Sequence, residues 1–162
     1  VIVTRNEESM EIRDFEPRYA AAFKALNEAW ITRHYVLEPK DEELLGDPAG
    51  KIIAKGGLIV FAMEDGEAVG CCAMIPMADG GFELSKMAVS EAHRRKGIAS
   101  LIIEACAERA RAKGAPRLYL ESGVELEPAI ALYESLGFAH LPPERRPWSP
   151  YARVSVWMER VL

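Results

Sequence analysis

The sequence predicts an α+β domain: one mixed, mostly antiparallel twisted sheet with helices on both faces. Three observations predict it. Apolar residues alternate with period two in several short stretches, and they recur at three- and four-residue steps in longer ones. A strand, helix and strand in succession from residue 82 to residue 120 also imply one parallel crossover among antiparallel neighbours.

The chain opens at Val1 rather than Met, so residues 1–9 are expected to be an N-terminal extension to a single domain running over residues 10–162. Residues 10–15 alternate as a first strand. Pro17 suits a first helical position, and Phe23, Leu26, Trp30, Ile31 and His34 follow at helical spacing through Tyr35. A second helix is expected over 41–45, capped by Asp41 and stopped by Gly46-Asp47-Pro48. Residues 58–63 and 68–77 read as a hairpin around Glu64-Asp65-Gly66-Glu67.

After a turn at Ala78-Asp79-Gly80-Gly81 comes the strand on which the reading depends. Phe82 and Leu84 set one parity and Met87 and Val89 the other, so the alternation slips near Ser85 and Lys86 and predicts a β-bulge. A helix over 97–113 places Ile98, Leu101, Ile102, Ala105 and Cys106 on one face and Glu104, Glu108, Arg111 and Lys113 on the other, and Gly114 and Pro116 end it. Residues 117–120 form the next strand, 128–136 a short helix and 138–141 another strand. Four prolines over 142–150 mark a loop, and 154–162 closes the sheet.

Composition narrows the function. A chain of 162 residues can bury a sizeable core without metal or disulfides. Its net charge of −5 argues against a general affinity for nucleic acid, so the basic run Arg94-Arg95-Lys96 is a local feature suited to a small anion. Cys71, Cys72 and Cys106 have no CxxC spacing and read as reduced, buried thiols. With no long apolar run and no signal-like start, a cytoplasmic location and no membrane partner are expected. His34, His93 and His140 are scattered without metal-ligand spacing, so no metal is expected.

The run from His93 to Ala99 places fixed positive charges and Gly97 where a helix begins and leaves its first N–H groups free, which is how a phosphate is held. The pattern Arg94-x-x-Gly97-x-Ala99 after Met87-Ala88-Val89 resembles the acyl-CoA signature of the GCN5-related N-acetyltransferases, the GNAT superfamily. A second block, Pro128-Ala129-Ile130-Ala131-Leu132-Tyr133-Glu134-Ser135-Leu136-Gly137-Phe138, resembles the helix and turn that follow in many members. The element order matches that family over nearly the whole chain from about Met10, which implies a GNAT-like sheet whose bulged central strand splays from its neighbour.

The resemblance implies transfer of an acetyl group from acetyl-CoA to a primary amine by direct attack, without a covalent enzyme intermediate. The cofactor would lie on Met87, Ala88, Val89, Arg94, Arg95, Lys96, Gly97, Ile98, Ala99 and Ser100. The N–H of Met87 would point at the thioester carbonyl, and Val89 would bond the pantetheine amides. Tyr133 would protonate the departing thiolate, and Glu83 would be the general base, with Glu28, Glu121 and water as alternatives. Where many members carry Asn, Leu126 stands, so any such contact comes from elsewhere. The first helix and the loop before the last strand would frame the acceptor, bringing Trp30, Tyr35, Trp148 and Tyr151 near it, and Glu28 and Glu38 would favour a cation. Expected partners are a small-molecule or peptide amine and, as is common in the family, a second copy in a homodimer. A non-catalytic acyl-CoA sensor of the same fold is the rival reading.

Overall fold

The computed structural model describes residues 2–5 and 8–162, with side chains from Met10 onward; of the expected extension 1–9, residues 1, 6 and 7 lie outside the described residues. In chain order the strands are β1 (Ile2–Arg5), β2 (Glu8–Asp14), β3 (Leu58–Glu64), β4 (Glu67–Pro76), β5 (Phe82–Val89), β6 (Arg117–Ser122), β7 (Ala139–His140) and β8 (Val156–Val161). The helices are α1 (Ala20–His34), α2 (Pro39–Gly46), α3 (Pro48–Lys51), α4 (Ile98–Ala112) and α5 (Glu127–Ser135). They build one sheet in the order β1-β2-β3-β4-β5-β6-β8-β7, antiparallel except between β5 and β6. The α+β class, the helices on both faces and the single parallel crossover are as the sequence predicts. The sheet also extends back to β1, which pairs with β2 from Ile2↔Glu11 to Arg5↔Glu8.

Two cores result, one on each face. Under α4 and α5, Ile98, Ile102, Ile103 and Cys106 pack on Val60, Cys72, Met74, Leu84 and Leu118. Under α1 and α2, Phe23, Ile31, Leu44 and Leu45 pack on Ile59, Phe61, Cys71 and Ala73. All three cysteines are free and buried. The β3–β4 turn has Asp65 at φ 50° and Gly66 at φ 80°. Two successive left-handed residues match the twist of a tight hairpin, which is why Asp-Gly stands there.

The bulge falls where the sequence places it. Cys71 faces Ala88 and Ala73 faces Ser85, so two residues of β5, Lys86 and Met87, stand opposite Cys72 alone. Lys86 takes a left-handed conformation, φ 53°. The slip turns Met87 and Val89 to the α4 face and sends Lys86 to the α1 and α2 face, where its side chain is almost fully buried.

A buried ammonium requires a partner. Asp41 supplies it, with Oδ1 at 2.8 Å from Lys86 Nζ. Here the expectation that Asp41 caps α2 is corrected: the N-cap is Glu38, and Asp41 sits one turn in, fully buried, accepting the Glu38 N–H at 2.9 Å. Arg153 completes the group with bonds of 2.8 and 2.7 Å to the two Asp41 oxygens. Burial opposes ionisation of Asp41, but the hydrogen bonds from Arg153 and Lys86 outweigh it and hold the carboxyl well below its ordinary range, at about 2.

Replacing Asp41 with Asn should therefore cost about 3–5 kcal/mol, because the buried Lys86 loses its countercharge and Arg153 keeps only Glu38. The folded-state value of Asp41 is depressed, so its contribution is complete above the unfolded value near 3.8 and is lost as pH falls through about 2. Urea unfolding at neutral pH measures the difference, and a loss below about 1 kcal/mol, the scale of a surface pair, would refute the role given to this group.

Candidate active site

Strands β5 and β6 pair over three positions only, Phe82↔Leu118, Glu83↔Tyr119 and Leu84↔Leu120. Beyond them β5 stays with β4, and β6 stays with β8 through Glu121↔Trp157 and Ser122↔Val156. The two parallel strands diverge, and a wedge opens toward their C-terminal ends. Ser90 donates to the Val69 carbonyl at 2.8 Å, so in the antiparallel ladder Ala88 also faces β4. By alternation the N–H and C=O groups of Met87 and Val89 point the other way, into the wedge.

At the wide end of the wedge the chain enters α4. Gly97 is its N-cap at φ 73° and offers no side-chain cap, so the N–H groups of Ile98, Ala99 and Ser100 remain uncapped by any side chain. Arg95 is also left-handed, at φ 64°. The side chains of Arg94, Arg95 and Lys96 are exposed. Positive charge and free N–H groups thus meet at one helix start, a ready anion site. The turn is anchored beneath by His93, whose Nε2 lies 2.7 Å from the buried Glu64 Oε2. Beside it, between α1 and the start of this turn, a cavity of about 350 Å³ is lined by Leu26, Ala29, Trp30, Val89, Ser90 and Arg94.

At the narrow end lie the carboxylates. Glu83 has no hydrogen-bond donor among the described residues. Burial, followed by the charge of nearby Glu121, pushes its carboxyl from the ordinary 4.5 up to about 7, against an opposing pull from Lys86 and Lys40. Glu121 accepts the Tyr119 hydroxyl and the Ser149 hydroxyl, each at 2.7 Å. Tyr151 roofs the group: its hydroxyl takes a hydrogen bond from Lys86 at 2.9 Å, and its ring lies 4.3 Å from the Lys86 ammonium and 4.5 Å from the Arg153 guanidinium.

Tyr133 stands on the other face. It packs against Phe138 and the core under α4, and burial beside the Cys72 thiol raises its ionisation well above the ordinary tyrosine range. Its hydroxyl has no hydrogen-bond partner among the described residues. Since Cys72 is the residue opposite the bulge, Tyr133 lies beside the bulge on the α4 face, while Glu83 lies near Lys86 on the other face.

Most of the residues singled out in the sequence therefore converge. Glu28 does not: it pairs with Lys24 on the outer face of α1. Glu38 is occupied by Arg153 and the Ala152 N–H. Tyr35 and Tyr151 come together, with Arg153 stacked on both rings, whereas Trp30 lines the cavity by α1 and Trp148 is exposed. Sequence reasoning missed Lys86, Arg153 and Ser149 as parts of the site. Only Lys86 left a signal, as a charged residue standing where the strand parity slips.

The model of the Acetyltransferase (GNAT) family matches residues 11–138. Among curated relatives, the "Uncharacterized N-acetyltransferase YsnE" of Bacillus subtilis (strain 168) is 38% identical over 93 residues, 55% of this chain and 62% of that one. The "IAA acetyltransferase" of Azospirillum brasilense is 36% identical over 106 residues, 64% of this chain and 67% of that one. The chain thus spans about two thirds of the length of these relatives. Among solved structures, an acetyltransferase of the GNAT family from Staphylococcus aureus Mu50 has a TM-score of 0.85 at 15% identity, covering 94% of this chain and 98% of that one. At that identity the likeness speaks for the fold alone. A family match that runs from β2 through α5, over the same diverging strands and basic helix start that the geometry singles out, means that this chain belongs to the GNAT family of acetyltransferases.

Proposed function

We propose that the protein is an N-acetyltransferase that moves an acetyl group from acetyl-CoA to a primary amine by direct attack. The divergence of β5 from β6 carries this reading, because it frees the Met87 and Val89 backbone groups beside an anion-suited helix start. The residues present fit the cofactor. The α4 N–H groups and the basic turn would hold its phosphates, and the exposed edge of β5 would pair with its extended arm. Bound acetyl-CoA supplies the activated acyl group, and the chain's own residues do the rest.

An alkylammonium of pKa roughly 10 must lose a proton before its nitrogen can attack. Glu83, open at the wedge and poised at about 7, accepts that proton. The Met87 N–H stabilises charge developing on the carbonyl oxygen, an effect worth roughly 3 kcal/mol per donor in a site of this kind. The Tyr133 hydroxyl, held protonated by burial, donates a hydrogen bond to the departing sulfur and stabilises the thiolate as it leaves. An unpartnered carboxyl raised toward neutrality beside the diverging strands supports the enzyme over a mere acyl-CoA sensor.

Calorimetric titration should show one acetyl-CoA per chain, abolished by Gly97→Glu, which sets a carboxylate at the anion site; a folded protein that binds none ends the reading. Tyr133→Phe should slow thiol release by about 10- to 100-fold with acetyl-CoA affinity nearly unchanged, and unchanged turnover would remove Tyr133 from the chemistry. Glu83→Gln should erase the rise in kcat/KM centred near pH 7. The same variant makes a stability prediction. The folded state raises the Glu83 value, so it binds the proton more tightly than the unfolded chain does, and stability falls as pH climbs from about 4.5 to about 7. Gln should then be the more stable residue by on the order of 1–3 kcal/mol at pH 8 and equal at pH 4, and equal stability at both pH values would show Glu83 to be an ordinary surface carboxylate.

A further inference from the structure

The acceptor side is unbalanced in charge. Around the narrow end of the wedge the carboxylates of Glu38, Asp41, Glu83 and Glu121 are set against two cations, Lys86 and Arg153. Both cations are already engaged, Lys86 by Asp41 and the Tyr151 hydroxyl, Arg153 by both Asp41 oxygens and by Glu38. Lys40, the other cation near Glu83, is bonded to Glu43 at 3.3 Å. Tyr119 and Ser149 solvate Glu121 without neutralising it. Glu83 is left with its hydrogen-bonding capacity unused.

A substrate ammonium entering here meets two carboxylates. A substrate carboxylate on the same carbon would meet the same two, with both nearby cations occupied by other anions. The neighbouring surface is apolar on one side: Trp148, 85% exposed, immediately precedes Ser149, whose hydroxyl holds Glu121. A polar depth beside an aromatic side chain suits an ammonium on a hydrocarbon body.

We infer that the acceptor is an alkylamine or arylalkylamine with no carboxylate on the nitrogen-bearing carbon, rather than a free α-amino acid. This rests on the acetyl-transfer reading above. It differs from the cation preference expected of Glu28 and Glu38, neither of which is available to a ligand.

The test uses pairs that differ only by the α-carboxylate: phenethylamine against phenylalanine, and isoamylamine against leucine, each assayed with acetyl-CoA by free-thiol release at pH 8. The amine of each pair should have a kcat/KM at least about tenfold above that of the amino acid, the penalty of facing like charges in a partly buried site. Glu121→Gln should narrow that ratio several-fold. Equal or greater activity with the amino acids overturns the inference, and so does turnover with neither class by a protein that binds acetyl-CoA. Absence of acetyl-CoA binding overturns the acetyl-transfer reading itself, so the two failures are distinguishable.

Discussion

One buried ion pair, Lys86 with Asp41, underlies the working half of this molecule. Lys86 is a charged residue forced into a left-handed conformation inside a strand, an arrangement that is costly in both backbone and solvation. It persists because Asp41, Arg153 and Tyr151 close around it. That closure joins β5, α2 and the segment before β8, three parts of the chain far apart in sequence. The extra residue it fixes re-aims β5, and the re-aimed strand presents Met87 and Val89 to the wedge. Without the pair, the bulge and the Tyr151 roof lose the contact that joins them.

The two carboxylates at the narrow end show how environment divides labour between like groups. Glu121 is solvated by two hydroxyls, whereas Glu83 has burial, a neighbouring negative charge and no donor among the described residues. Pushing one carboxyl toward neutrality in this way costs folding free energy and yields a group able to take a proton at ordinary pH. A site tuned for proton transfer is expected to be locally unfavourable for stability.

Much of this was legible in the sequence because it is local. Period-two and period-3.6 patterns located the strands and main helices, the parity slip located the bulge to within a residue, and Gly97 after a basic run marked the helix start. What was not legible is long-range. Asp41 looks like a helix cap because acidic residues at helix starts usually are, and nothing local reveals that it is sealed under Arg153, over a hundred residues onward. Ser149 and Arg153 sit in or beside a proline-rich loop whose composition says only that it is irregular. The pairing of Glu83 with Glu121 depends on the parallel register of β5 and β6, which element order implies and residue pattern does not fix.

The strand order carries a consequence for how the molecule comes into being. β8 follows β7 in sequence yet lies between β6 and β7 in the sheet, and among the described residues it is the only strand that β7 pairs with. Until β8 docks, β6 presents a bare edge of unpaired N–H and C=O groups next to the wedge. The roof residues Tyr151 and Arg153, which lead into β8, arrive with it. Docking of β8 thus goes with contacts far apart in sequence, Tyr151 onto Lys86 and Arg153 onto Asp41, a class of step that is slow and open to wrong strand partners while it waits. A chain interrupted before β8 would keep most of both cores and leave that edge open to aggregation.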